Sequence, residues 1–88
     1  MGKYDLMQLG KLQKLTIEIK QIVLRIDNSC KSIAQNLYLY DGVENLEIEA
    51  ADAEFAELKK SFYRYKVLAK EIREIDPDTI IPMSPAEC

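Results

Sequence analysis

Histidine and tryptophan are absent from this chain of 88 residues, glycine and proline occur three times each, and cysteine occurs twice. Each scarcity excludes something. Without histidine, the usual general base near neutral pH and the commonest zinc ligand are missing. Cys30 and Cys88 form no CxxC pair, so neither a metal site nor a disulfide framework is expected. Cys30 is read as a small buried apolar residue and Cys88 as a reduced thiol in a loose tail. The few glycines and prolines rule out a collagen-like or linker composition. No apolar run approaches the ~18 residues of a membrane span, and Lys3 is not followed by the apolar stretch and small-residue cleavage site of a secretory signal. A cytoplasmic protein with no membrane partner is the expectation.

Catalytic signatures are missing too. No phosphate-binding loop, dinucleotide fingerprint, nucleophile elbow or calcium-loop spacing occurs. The carboxylates lie in an open acidic run, whereas acid–base catalysis calls for a pair in a pocket. No enzyme and no cofactor are expected. The net charge of -3 gives no general attraction to nucleic acid or anionic lipid.

What the chain does have is a helical rhythm. Leu9, Leu12, Thr16, Ile19, Val23, Ile26, Cys30, Ile33, Leu37 and Tyr40 recur by threes and fours on one helical stripe, with Lys14, Gln21, Asn28 and Gln35 opposite. Asp5 and Gln8 have the spacing of a capping box, with Tyr4 stapling onto Leu9, so a first helix is predicted over about 6–40. Gly42 supplies the turn within 41–45, because glycine accepts the left-handed conformation found past helix ends. Asn45 is placed to cap a second helix over about 46–75, whose stripe runs Ile48, Ala51, Phe55, Leu58, Phe62, Tyr65, Ala69, Ile72. Pro77 forces the residue before it out of helix and ends the segment. Residues 76–88, with Pro77, Pro82 and Pro85, form an extended tail.

The predicted fold is all-α: one domain, an antiparallel two-helix hairpin of coiled-coil type. In its register, facing positions sum to 88: Leu37 with Ala51, Ile33 with Phe55, Cys30 with Leu58, Ile26 with Phe62. Asp27 then falls beside Lys59 at the seam's edge.

Further apolar residues flank both stripes. Leu15 and Ile22 lie to one side of the first and Ile17 and Leu24 to the other, while Val67, Leu68 and Ile75 widen the second. Faces broader than a two-stranded seam are those of helices in bundles of four, so two hairpins are expected to dimerise into a four-helix bundle. The residues expected to meet a partner are Leu15, Ile17, Ile22 and Leu24, then Tyr38 and Leu39 in an uncharged stretch, Tyr63 and Val67 on the second helix, and Ile80 and Ile81 in the tail. The tail has two expected roles: to fold back over Leu6, Leu9 and Leu12, or to hook another protein.

Charge is segregated. Residues 41–57 hold seven acids and no base, whereas 59–73 hold six bases and one acid. A hairpin with its loop end acidic and its open end basic is a dipolar rod that favours antiparallel pairing of rods. The function expected is that of a non-enzymatic interaction or assembly module, a homo-oligomeric hairpin adaptor or accessory component. The alternatives are a small chaperone or inhibitor that sequesters one protein target, and a nucleic-acid accessory protein using Tyr63, Arg64, Tyr65 and Lys66 for stacking and phosphate contact.

Overall fold

The computed structural model describes residues 6–88, so the Tyr4 and Asp5 capping signal lies outside the described residues. Two helices pack antiparallel: α1, Leu6–Asn36, and α2, Ile48–Ile75. Among the described residues there is no strand.

α1 stops short of Tyr40. Its last turn closes with Leu37 N–H donating to the Ile33 carbonyl at 3.0 Å, and the Asn36 carbonyl is then taken by the Glu47 N–H at 2.8 Å across the connection. Tyr38 is extended, with φ -78° and ψ 103°. Two single 3-10 turns, Leu39–Asp41 and Val43–Asn45, carry the chain around Gly42. Gly42 has φ 96°, where a Cβ would be strained, so the residue predicted to make the turn is the one that bends there. Asn45 lies inside the second 3-10 turn, and Glu47 takes the cap position of α2. At the far end the Asp76 N–H still reaches the Ile72 carbonyl at 2.9 Å, and Pro77 stops α2 after Ile75 as expected.

Heptad letters show which faces meet. With Leu12, Ile19, Ile26 and Ile33 of α1 and Ala51, Leu58, Tyr65 and Ile72 of α2 at position d, the expected seam joined d to a, where a holds Thr16, Val23, Cys30 and Leu37, and Ile48, Phe55, Phe62 and Ala69. Instead d is completed mainly by g. Leu15, Ile22 and Ser29 on α1 and Leu68 on α2 are buried, with Asn36, Ser61 and Ile75 half-buried. In the loop-side half each helix is thus turned about 50° from the expected seam, at ~100° per residue, while at the open end Val23 and Ala69 of the a row are buried together with the g row. Cys30 is therefore exposed, contrary to expectation, and its neighbour Ser29 is buried.

The core sits at the open end of the hairpin. Ile19, Leu68 and Ile72 are its most enclosed side chains, joined by Leu12, Leu15, Ile22, Ala69 and one residue from the tail, Ile81. The tail is thus a third packing element, folded back onto its own helices. Ile81 and Pro82 are buried while Ile80 is 87% exposed, so adjacent residues divide between core and solvent. A last 3-10 turn, Pro85–Glu87, rests against α1, and the Cys88 thiol lies 3.6 Å from the Lys20 carbonyl.

Candidate interaction groove

In the loop-side half, where d and g close the hairpin, the a residues Cys30, Leu37, Ile48, Phe55 and Phe62 are left exposed on one side along a groove, whereas at the open end the a residues Val23 and Ala69 are buried. At the open end the tail reaches this groove, where Met83 shares a recess of about 190 Å³ with Val23, Ile26, Phe62 and Tyr65. Towards the loop a second recess of about 290 Å³ is lined by Ile33, Leu37, Ile48, Ala51, Asp52 and Phe55. Ile26 and Phe62 line the first recess together, and Ile33, Leu37, Ala51 and Phe55 line the second.

The groove is apolar and open. Leu37, Ile48, Phe55 and Phe62 are between 41% and 58% exposed, and Cys30 lies on the same row between the recesses. Each phenylalanine is roofed by the lysine one turn on: Lys59 Nζ stands 5.1 Å from the Phe55 ring centre and Lys66 Nζ 5.5 Å from that of Phe62. These cation–π contacts set a charged rim along α2, which in sequence runs Asp52, Lys59, Lys66, Arg73. Lys59 is thus engaged with Phe55, while Asp27 pairs with Lys31 on its own helix at 2.8 Å, in place of the Asp27–Lys59 juxtaposition expected at the seam.

The opposite side of the hairpin is polar. There a recess of about 240 Å³ is lined by Arg25, Asn28, Ser29, Glu54, Glu57 and Ser61. The two sides differ because g and c positions of the central heptads are serine, asparagine and charged residues, whereas the a positions are large and apolar.

The sequence-predicted contact residues divide into three sets. Leu15, Ile22 and Ile81 are in the core and present no surface. Ile17, Leu24, Tyr38, Leu39, Tyr63, Val67 and Ile80 are exposed. Of these, Ile17 and Leu24 fall at position b on α1 and Tyr63 at b on α2, on the shoulders beside the groove, whereas Val67 is on the back of α2 and Tyr38 and Leu39 lie beyond the end of α1. Tyr38 stacks on Tyr40, their centroids 5.8 Å apart and the rings at 15°. The groove-lining residues themselves, Leu37, Ile48, Phe55 and Phe62, belong by sequence periodicity to the expected seam, yet they are exposed. The signal that could have released them is the competing g row: Leu15, Ile22, Leu68 and Ile75 are as apolar as the a row and complete the same spacing.

Two polar contacts tie the elements together. Arg64 Nε donates to a Glu18 carboxylate oxygen at 2.8 Å across the helices, and this hydrogen bond holds the Glu18 carboxyl below its ordinary range. The Tyr65 hydroxyl donates to the Pro82 carbonyl at 2.8 Å with Met83 Sδ 3.1 Å away, and burial pushes the phenol's pKa up. The ion pair is solvent-facing and the tyrosine is engaged by the tail. Within the segment read as a nucleic-acid surface, Arg64 is held by Glu18, Lys66 by Phe62, and Tyr65 by Pro82.

No helix among the described residues is long and apolar enough to cross a membrane. A scan against protein-family models finds no match, and neither do searches of the curated proteins and of the solved structures.

Proposed function

We propose that this chain is a non-enzymatic assembly module, a helical hairpin that works by pairing through its apolar groove with a second copy of itself. The observation that carries this reading is the exposed a row, Cys30, Leu37, Ile48, Phe55 and Phe62, aligned on one face and flanked by Leu24 and Tyr63. A contiguous apolar strip with a charged rim is characteristic of a protein-binding face. Helices whose apolar arcs exceed one seam satisfy them by adding a second layer, and two hairpins packed face to face make a four-helix bundle.

Sedimentation equilibrium of the full chain tests this. A dimer is expected at micromolar concentrations, with Phe55→Glu giving a monomer of unchanged helical content. A wild-type chain that stays monomeric at hundreds of micromolar overturns the reading. If it does so while its helices gain thermal stability only from a co-purified protein, the groove belongs to a hetero-partner, as a chaperone or inhibitor would use it.

A further inference from the structure

We infer that the loop-end pole of the hairpin, where the stacked rings of Tyr38 and Tyr40 stand with Leu39 and Val43, docks an arginine-bearing segment of another protein. The site lies beyond the groove and stands whether or not the groove pairs two copies.

The pole presents apolar side chains on a fixed backbone. Tyr38, Leu39, Tyr40 and Val43 are between 57% and 89% exposed, and the two tyrosine ring centres lie 5.8 Å apart with the rings at 15°. A turn exposed at the end of a rod ordinarily carries small polar residues. Here the chain beneath the rings is tied. The Gly42 N–H donates to the Leu39 carbonyl at 2.8 Å, the Leu46 N–H to that of Val43 at 3.2 Å, and the Glu47 N–H to that of Asn36 at 2.8 Å. A surface held in one arrangement loses little freedom when a partner binds.

Charge decides the kind of partner. Residues 32–58 hold seven acids and no base. Glu44 in the second 3-10 turn, Glu47 at the cap of α2 and Glu49 in its first turn are all exposed. The positive end of the α2 dipole, equivalent to about half a charge, offsets only a small part of this. Such a pole repels nucleic acid and anionic lipid and attracts a cationic segment.

The rings select the cation. Along the groove each phenylalanine is roofed by a base of its own helix, Lys59 over Phe55 and Lys66 over Phe62. The bases nearest to Tyr38 and Tyr40 in the sequence are Lys31, paired with Asp27, and Lys59, already over Phe55. The tyrosine pair therefore offers a ring face in an acidic setting to a cation from outside. A planar guanidinium stacks on such a face, whereas an ammonium approaches it as a point charge. The opposite half of the same chain is a poor source of that group: residues 59–88 set five acids among six bases, and Arg64 is held by Glu18.

NMR titration of the isotopically labelled full chain with acetylated hexa-arginine amide tests this. Amide shifts are expected to cluster at 37–49, and hexa-lysine of equal charge is expected to bind more weakly. Replacing both rings, Tyr38→Leu with Tyr40→Leu, keeps the charge and is expected to lower affinity about fivefold, the scale of an exposed cation–π contact. Should that variant lose the helical amide pattern, Tyr40→Leu alone, at the most exposed ring, makes the same comparison. An affinity unchanged by leucine, or shifts spread equally to the acids at 71–78, reduces the binding to charge alone and overturns the inference. Equal affinity for hexa-lysine, or no binding at millimolar peptide, overturns it as well. Shifts at 38–43 on dilution of the chain alone, in excess of those along the groove, assign the pole to a second copy and overturn it likewise.

Discussion

The Tyr65 hydroxyl donates to the Pro82 carbonyl at 2.8 Å, joining the middle of α2 to a tail residue buried beside Ile81. This contact ends the tail's career as an extended peptide: the strand of chain after Pro77 is tied where it crosses the hairpin.

Removing that hydroxyl tests the tie. Tyr65→Phe is expected to lower stability by about 1 kcal/mol, the net worth of one hydrogen bond, and to speed amide exchange in the tail more than in α1. Urea denaturation and hydrogen exchange read the two effects. Equal exchange rates in the two chains would refute it.

The same group predicts a pH effect. Burial raises the folded-state pKa of Tyr65 above its unfolded value, so its contribution is complete below the ordinary tyrosine range and is lost as pH rises through the folded value. Wild-type stability should therefore fall at alkaline pH with a component that Tyr65→Phe lacks, because a phenolate cannot donate to a carbonyl. The difference between the two urea midpoints as a function of pH measures it.

Ile80 and Ile81 make a matched pair of opposite outcome. Ile81→Ala removes a core side chain and is expected to cost about 2–4 kcal/mol, whereas Ile80→Ala changes an exposed residue and stays within about 0.5 kcal/mol. Thermal melts decide, and a tail that contributes nothing to the core would make the two alike.

Rotation of the seam sets Leu68 against Phe62. Leu68 is fully enclosed and Phe62 is 47% exposed, so Leu68→Ala should cost about 3–4 kcal/mol and Phe62→Ala clearly less in the isolated hairpin. The order reverses for self-association, where the phenylalanine is the residue that matters. Seam geometry of the d-to-a kind would invert the first ranking.

Glu18 gives an acid-side prediction. Its carboxyl is held below the ordinary value by the Arg64 hydrogen bond, so its stabilising contribution is present above the unfolded pKa and is lost as pH falls through the folded one. The pair faces solvent, which makes the effect small and salt-sensitive. Glu18→Gln is expected to lie slightly below wild type at neutral pH and to converge with it in acid, as followed by urea midpoints at low ionic strength.

Much of the architecture was written in local signals. Gly42 marks the turn because only a residue without Cβ takes φ 96° freely, and Pro77 marks the end of α2 because of what proline does to the residue before it. Which neighbouring row turns inward is not local. Thr16, Cys30 and Ala69 on the a row compete with Leu15, Ile22 and Leu68 on the g row. The g row fills the open half better, while the tail covers part of the a row there. That outcome depends on Ile81, more than forty residues from Leu15 and Ile22 in the chain, and no periodicity announces it. The groove followed from the same choice, so its phenylalanines were visible in the sequence as apolar but not as surface.

The docked tail also decides where the chain's last residue points. Cys88 lies beside the Lys20 carbonyl, on the flank of α1 and well away from either tip. A dye or cargo joined through that thiol would ride at the waist of the rod, leaving both poles and the turn around Gly42 unobstructed.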